Sequence, residues 1–254
     1  MKIGLVLSGG GVRGIAHLGI LKALKEKNIQ ITHITGTSAG AIAGALYANL
    51  VDPYDALKIF QNTRLLRLLK LAYGKPALLN LESSYKLFKE YLPHDSFDEL
   101  NIPLTITATN FNNGKLTYFH EGGQLIRKVL ASCCIPGVFN PIAIDNYLYV
   151  DGGVLNNFPV EPLLTDCDYI IGSSCNHLPP IKQIRSIKHI LERTATLSVN
   201  HDVEEKTKKV DLLIEPENLG SIGIFEIQRA EEIYWIAHES ALKKITEAGL
   251  TSIK

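Results

Sequence analysis

Residues 2–14 and 31–40 decide the fold. The first stretch is Lys2-Ile3-Gly4-Leu5-Val6-Leu7-Ser8-Gly9-Gly10-Gly11-Val12-Arg13-Gly14, and the second is Ile31-Thr32-His33-Ile34-Thr35-Gly36-Thr37-Ser38-Ala39-Gly40. Each is a short apolar run that ends in glycines, which is typical of a buried strand. The predicted strands cover residues 2–7 and 29–34, and residues 15–26 and 39–50 follow them with helical patterns. This strand–helix–strand–helix order is typical of a parallel sheet.

The rest of the chain continues the alternation of strands and helices. Further strands are predicted at 104–109, 115–119, 147–150, 169–172 and 211–214, and further helices at 55–73, 124–132, 186–205 and 226–248. No repeat or linker interrupts the 254 residues. We therefore predict one α/β domain over residues 1–254, with three layers and helices on both faces of a central, largely parallel sheet.

Composition narrows the classes of function. The chain has 26 basic and 26 acidic residues, so its net charge gives no reason to expect nucleic-acid binding. Four cysteines without a C-x-x-C pair, and no secretory signal at the start, favour reduced thiols and the cytoplasm. Residues 34–51 are uncharged, but their polar and glycine-rich first half favours a buried strand and helix over a membrane span. No metal is expected, because no Cys/His cluster has ligand spacing.

Gly36-Thr37-Ser38-Ala39-Gly40 is a G-x-S-x-G pentapeptide between a predicted strand and a predicted helix. In that setting a sharp turn holds the serine in a strained conformation, and Gly36, Ala39 and Gly40 leave room for neighbouring chain. The hydroxyl then lies at a helix N-terminus, where negative charge is stabilised. Ser38 is therefore the candidate nucleophile, and a helix N-cap serine is the alternative.

Gly9-Gly10-Gly11-Val12-Arg13-Gly14 follows the first strand and opens the first helix. Successive amides of such a loop can bind an oxyanion, and Arg13 adds a positive charge nearby. The same residues match the dinucleotide motif G-x-G-x-x-G. That motif expects an acid at the end of the second strand, and none is present there, so nucleotide binding is disfavoured.

Asp151 ends the predicted strand at 147–150 and precedes Gly152 and Gly153. Active sites of α/β sheets gather at the carboxyl ends of strands, so this carboxylate could accept the proton of a serine. A simple turn would look the same in sequence.

Four stretches together resemble the patatin-like phospholipases: residues 8–14, residues 36–40, residues 131–139, and residues 151–159 from Asp151 to Pro159. The resemblance implies a patatin-like fold and a catalytic dyad, with Ser38 as nucleophile and Asp151 as base. It also implies an oxyanion hole formed by Gly9, Gly10, Gly11 and Arg13, with fatty-acyl esters of lipids as substrates and no cofactor. Cys133 and Cys134 replace the small residues that are usual at this point in the family.

A Ser–Asp–His triad stays open as an alternative, because a histidine after residue 151 would keep the α/β-hydrolase order. His177 is the best candidate, since it follows the predicted strand at 169–172. His189, His201 and His238 lie on predicted helices and are expected at the surface. His17 and His33 are expected to be structural.

Residues 56–81 contain five basic residues and no acid, and leucines alternate with Arg64, Arg67 and Lys70. A basic amphipathic segment of this kind can lie on anionic lipid, so we predict peripheral membrane contact here. A core-packed helix with solvated arginines is the alternative. The function expected overall is a lipid acyl hydrolase, with a carboxylesterase for small soluble esters or an inactive lipid-binding module as alternatives.

Overall fold

The computed structural model describes residues 1–61, 70–71, 79–178, 180, 183–184, 186–223 and 226–250. The strands in these ranges are β1 Ile3–Leu7, β2 His33–Gly36, β3 Lys70–Leu71, β4 Leu79–Asn80, β5 Leu104–Asn110, β6 Lys115–Phe119, β7 Ile142–Ile144, β8 Tyr147–Asp151, β9 Tyr169–Ser173 and β10 Leu212–Ile214. The helices are α1 Ala16–Glu26, α2 Ala39–Ala48, α3 Pro53–Gln61, α4 Tyr85–Tyr91, α5 Leu125–Ser132, α6 Ile187–Val199, α7 Val203–Thr207 and α8 Ala230–Glu247.

The main sheet has the strand order β10-β9-β1-β2-β5-β8-β7, and β6 also pairs with β5. The strands from β10 to β5 are parallel to one another, whereas β6, β7 and β8 join through antiparallel pairs. The predicted central, largely parallel sheet is therefore confirmed, with a mixed edge.

Side chains of β1 alternate between two cores because successive residues of a strand point to opposite faces. Leu5 and Leu7 belong to the larger core, together with residues of α1, α2, α5 and α8. Val6 belongs to a smaller cluster on the other face, which includes Phe158 and Val203 of α7. Helices therefore cover both faces of the sheet, and the layer on the face of Val6 is the thinner one.

Several predicted boundaries were wrong. The second strand lies at His33–Gly36 rather than 29–34, and β7 was not predicted. Of the helix predicted at 55–73, α3 covers the part up to Gln61 and residues 62–69 lie outside the described ranges, but Lys70–Leu71 is not helical, because it pairs with Leu79–Asn80 as an antiparallel ladder.

The helix predicted at 186–205 is two helices, α6 and α7. Asn200 lies between them, and its side-chain amide donates to the carbonyl of Thr196 at 2.8 Å. A side chain that satisfies a carbonyl of the last turn favours termination of the helix there.

No helix in the described ranges combines the length and the apolar character needed to cross a bilayer.

Candidate active site

Ser38 lies in the sharp turn from β2 to α2, with φ 53° and ψ −121°. Positive φ is uncommon for a residue with a side chain, and it indicates local strain of the kind found at functional turns. A Cβ atom at Gly40 would overlap the backbone carbonyl of Leu7, so glycine is required for this close approach. Ser38 makes no side-chain cap bond to α2, so its hydroxyl is not used as an N-cap.

The structure brings Ser38 and Asp151 together. The Ser38 hydroxyl donates to Asp151 Oδ2 at 2.7 Å, although the residues are 113 positions apart in sequence. The N–H of Gly153 donates to the other carboxylate oxygen, also at 2.7 Å. One oxygen of Asp151 therefore stabilises the turn at Gly153, as the sequence alternative expected, and the other contacts Ser38 directly.

Asp151 reaches this position by a route that the sequence interpretation did not foresee. It ends β8, but β8 runs antiparallel to β5, with Ala108 opposite Asp151. On the same edge of β5, Ile106 lies opposite Gly36, because β6 occupies the other edge along residues 106–110. Ser38 follows Gly36 by two residues, and Ala108, the partner of Asp151, follows Ile106 by two residues. Ser38 and Asp151 therefore come level with each other along β5.

Burial dominates the electrostatics of this pair. Ser38 and Asp151 are each only 6% exposed. Burial raises the pKa of Asp151 from its ordinary value of 3.8 to about 6, while the hydrogen bonds from Ser38 and Gly153 act in the opposite direction. A carboxylate with this pKa is ionised at neutral pH and is still a better proton acceptor than an exposed aspartate.

A buried polar network holds the two strand ends in place. The hydroxyls of Thr37 and Thr107 contact each other at 2.6 Å, and Thr37 donates to the carbonyl of Asn156 at 2.9 Å. Thr109 donates to the carbonyl of Asp151 at 3.0 Å. The sequence interpretation missed these residues, because a threonine in a strand is ordinary by itself.

Ser132, at the end of α5, was also missed as a site residue. Its hydroxyl accepts the N–H of Ser38 at 2.8 Å, so it fixes the backbone of the turn. The signal available in the sequence was its place in the 131–139 stretch.

The glycine loop after β1 differs in part from the expectation. The N–H of Gly9 donates to the carbonyl of Asn157 at 3.1 Å, so it is already engaged. Gly10 and Gly11 line the space beside Ser38. The Nε–H of Arg13 donates to the carbonyl of Ile222 at 2.5 Å, which ties the loop to the segment before α8.

His17 supports the glycine loop through a hydrogen bond to Ser8, the residue that precedes the loop. It is fully buried, with Nδ1 at 2.6 Å from the hydroxyl of Ser173 and Nε2 at 2.7 Å from the carbonyl of Ser8. Burial lowers the pKa of His17 to about 4, so the ring is neutral at pH 7. Its nitrogens therefore divide into one donor, to Ser8, and one acceptor, from Ser173.

Two cavities meet at Ser38. One, the cleft, has about 560 Å³ of open space and contains Gly10, Gly11, Asp151 and Asn157 in its wall. The other, the apolar chamber, has about 1070 Å³ of open space, part of which is continuous with solvent. Besides Ser38, its wall includes side chains of α1 to α5 and of the segment after α5, among them Leu18, Ile42, Phe60, Phe88, Leu130 and Phe139.

None of the described histidines lines the cleft. His177 contacts Glu215 at 3.3 Å and faces a different cavity. The expectation that His238 lies at the surface was wrong, because it is buried and its Nε2 lies 2.8 Å from Glu26.

The four cysteines are free thiols, and Cys133 lies in the wall of the apolar chamber. Burial raises its pKa well above the ordinary value. It is therefore a neutral, apolar wall residue at pH 7.

The basic segment at 56–81 falls largely outside the described residues, which lack 62–69 and 72–78. Arg64, Arg67 and Lys75 belong to those ranges. Lys58 is described, and it pairs with Asp55 at 2.8 Å.

Comparison with protein families and curated proteins places this site in context. A family model described as patatin-like phospholipase matches residues 5–164. An uncharacterised NTE family protein of Mycobacterium tuberculosis is 34% identical over 179 residues, which is 69% of this chain and 49% of that protein. A lysophospholipase NTE1 of Mycosarcoma maydis is 32% identical over 174 residues, or 65% of this chain and 9% of that protein. The chain thus spans at most about half the length of these relatives.

Two solved structures share the fold. VipD from Legionella pneumophila superposes with a TM-score of 0.53 at 16% identity, over 97% of this chain and 67% of VipD. The type III effector ExoU superposes with a TM-score of 0.51 at 17% identity, over 98% of this chain and 54% of the ExoU chain.

Proposed function

Because this chain belongs to the patatin-like phospholipase family, we propose that it is a lipid acyl hydrolase of the phospholipase A or lysophospholipase type. Ser38 and Asp151 act as its catalytic dyad. The observation that carries the proposal is the 2.7 Å hydrogen bond from the Ser38 hydroxyl to Asp151, at the junction of a cleft and an apolar chamber. The similarity to proteins named lysophospholipase NTE1 supports the lipid class of substrate.

In the acylation step, Ser38 Oγ forms a bond to the ester carbonyl carbon while Asp151 takes the hydroxyl proton. The carbonyl oxygen becomes an oxyanion. When the tetrahedral species collapses, the bond to the alcohol oxygen breaks, and the proton on Asp151 moves to the departing alcohol. Water then attacks the acyl-enzyme and gives a proton to Asp151, which returns it to Ser38 as the fatty acid leaves.

The oxyanion is held by the glycine loop, with the amides of Gly10 and Gly11 as its donors. Gly9 and Arg13 support the loop instead, because the backbone N–H of Gly9 donates to the carbonyl of Asn157 and the side-chain Nε–H of Arg13 donates to the carbonyl of Ile222. Loss of one such oxyanion donor typically costs about 3 kcal/mol of transition-state stabilisation.

The apolar chamber supports a fatty acyl chain rather than a small acyl group. An acyl chain in the chamber and an alcohol or head group in the cleft would put the ester carbonyl at Ser38, where the cavities meet. A small soluble ester would leave much of this apolar wall without a contact.

Peripheral membrane contact through residues 56–81, at the cytoplasmic side of a membrane, is a further part of the proposal. Its support is the basic and leucine-rich sequence. Charge reversal of Arg64, Arg67 and Lys70 to glutamate should weaken binding to anionic vesicles while hydrolysis of a soluble ester is kept.

A hydrolysis panel on phospholipids, lysophospholipids and short soluble esters tests the dyad. Ser38→Ala and Asp151→Asn should lose activity on every substrate, and His177→Ala should keep it. A fluorophosphonate probe should label the wild type and fail to label Ser38→Ala. A folded wild-type protein that takes no label and cleaves no ester would point to a lipid-binding module, and loss of activity in His177→Ala would favour a triad.

A further inference from the structure

Lys206, on helix α7, is largely buried. Its side chain is only 11% exposed, whereas lysine side chains are almost never buried unless they are paired. The ammonium donates to Asn156 Oδ1 at 2.6 Å, and it forms ion pairs with Glu161 Oε1 at 3.0 Å and Asp202 Oδ2 at 2.8 Å. An ammonium has three N–H donors, so it can serve these three oxygens at once. Lys206 therefore fixes the side chain of Asn156.

The nitrogen of the same amide is engaged as well. Asn156 is buried, and its Nδ2 donates to Glu161 Oε2 at 2.9 Å and to the hydroxyl of Tyr118 at 3.2 Å. Burial alone would raise the pKa of Glu161, but hydrogen bonds from Asn156 and Lys206 hold that pKa below its ordinary value. Glu161 is therefore ionised at neutral pH, and a cation and an anion hold the two ends of the Asn156 amide.

Asn156 connects this pair of charges to the nucleophile. Its backbone carbonyl accepts the hydroxyl of Thr37 at 2.9 Å, and Thr37 precedes Ser38 in the turn from β2 to α2. Asp151, at the other end of the same loop, accepts the hydroxyl of Ser38 at 2.7 Å. The loop of residues 151–156 thus contacts the nucleophile turn at both of its ends, and Lys206 holds the end that carries no catalytic group.

Lys206 itself is remote from the substrate spaces. It lines neither the cleft nor the apolar chamber. It also lies outside residues 5–164, which match the family model. An effect of Lys206 on catalysis therefore has to pass through the loop of residues 151–156, and the contacts of a bound ester do not depend on it directly.

We propose that Lys206 is a positioning residue: it holds Asn156, and through Thr37 it holds the turn that aims Ser38 at Asp151. The inference rests on the proposed function, because it concerns the rate at which Ser38 is acylated. Both Glu161 and Asp202 lie within 3.0 Å of the ammonium, so they would repel each other without it, and Asn156 Oδ1 would lose its donor. A displacement of about 1 Å at a reacting group can lower a rate about a hundredfold.

Steady-state hydrolysis of a short soluble ester such as p-nitrophenyl butyrate tests the role of Lys206. The test variant is Lys206→Met, since methionine keeps an unbranched apolar side chain and removes the ammonium. Its kcat should fall about tenfold or more while its KM stays within about twofold of the wild type, because Lys206 lines neither cavity.

Lys208→Met is the matched control. Lys208 lies directly after α7 and pairs with Glu205 at 2.6 Å, but its side chain is exposed to solvent. The control therefore also breaks a pair between a lysine and a carboxylate, and it should keep the wild-type kcat.

A fluorophosphonate probe distinguishes slower sites from fewer sites. In Lys206→Met the final fraction of labelled Ser38 should equal that of the wild type, and the rate constant of labelling should fall with kcat. A lower final fraction with an unchanged rate constant would show that part of the protein is misfolded, and it would overturn the proposal. If Lys206→Met does not fold, Lys206→Gln, which is uncharged but polar, carries the same expectations.

Thr37→Val tests the route, because valine has the shape of threonine without the hydroxyl that contacts Asn156. In a Thr37→Val background, Lys206→Met should lower kcat by less than about threefold, since the link it acts through is already broken. The full effect of Lys206→Met in that background would show that Thr37 is not the link and would overturn the proposal.

Equal kcat in Lys206→Met and Lys208→Met, with an active wild type, would remove the role of Lys206 and leave the proposed function standing. A folded wild type that cleaves no ester and takes no label would instead overturn the proposed function, and the positioning role with it.

Discussion

Replacing Asp151 by asparagine should abolish activity and yet stabilise the fold at neutral and alkaline pH. The carboxylate is buried, and burial raises its pKa from 3.8 to about 6. One pKa unit corresponds to about 1.4 kcal/mol, so the ionised Asp151 destabilises the folded state by about 3 kcal/mol above pH 6. Asparagine has the same shape, its oxygen can accept the N–H of Gly153, and its amide can face the Ser38 oxygen.

The direction of the pH dependence follows from the raised pKa. Between pH 3.8 and 6 the folded state binds the proton of Asp151 more tightly than the unfolded state does. The destabilisation by this carboxylate therefore disappears as the pH falls through that window. Asp151→Asn should be more stable than the wild type by up to about 3 kcal/mol at pH 8, and the gap should close near pH 4.

Urea unfolding at pH 8, 6, 5 and 4 measures the free energy of unfolding of Asp151→Asn and of the wild type. The quantity that tests the reasoning is the difference between the two proteins at each pH. The pKa of His17 is lowered to about 4, so the wild type loses stability from His17 as the pH falls from 6.5 toward 4. This opposing effect is the same in both proteins and cancels in their difference.

Ser38→Ala is the matched control, because it is also inactive but keeps the buried carboxylate. It removes a hydrogen bond that lowers the pKa of Asp151, so it should be less stable than the wild type at pH 8. The reasoning would be refuted if Asp151→Asn were no more stable than the wild type at pH 8. A gap that stays constant from pH 8 to pH 4 would refute it equally.

Three further predictions follow from the same site. The rate of ester hydrolysis should fall about tenfold for each pH unit below 6, because Asp151 must be ionised to accept the proton of Ser38; a pH–rate profile that is flat down to pH 4.5 would contradict this role. His17→Leu should lower the free energy of unfolding by about 2–4 kcal/mol in urea titrations at pH 7, because it leaves the buried Ser8 carbonyl and Ser173 hydroxyl without their partner. Gly10→Ala should lower kcat about a hundredfold or more, since its Cβ would overlap the Cys175 sulfur and displace the oxyanion loop; unchanged kcat would contradict the need for this loop position.

Short-range features of this protein were predictable from the sequence. The apolar run at 2–7 ends in glycines and became β1, and the Gly36–Gly40 pentapeptide became the turn from β2 to α2. The strain at Ser38 and the small residues around it were predictable as well. These features depend on contacts within a few residues, for which local residue types carry the information.

The ends of helices and the burial of helical residues were less predictable, because the same local pattern allows several outcomes. The helix predicted at 186–205 ends at Val199, where Asn200 bonds to the last turn. His238 has the helical setting of a surface residue, but packing of α8 on α1 buries it beside Glu26. Periodicity alone does not say which neighbour a helix will have.

The sequence by itself determined the strand–turn–helix units, the strained serine and the presence of an acid at a strand end. Tertiary structure decided that the acid meets the serine, because β8 runs antiparallel to β5 and so brings Asp151 level with Ser38. It also decided that the N–H of Gly9 is engaged, since it donates to the carbonyl of Asn157. Strand direction and such pairings arise from contacts between residues far apart in the sequence, which no local pattern encodes.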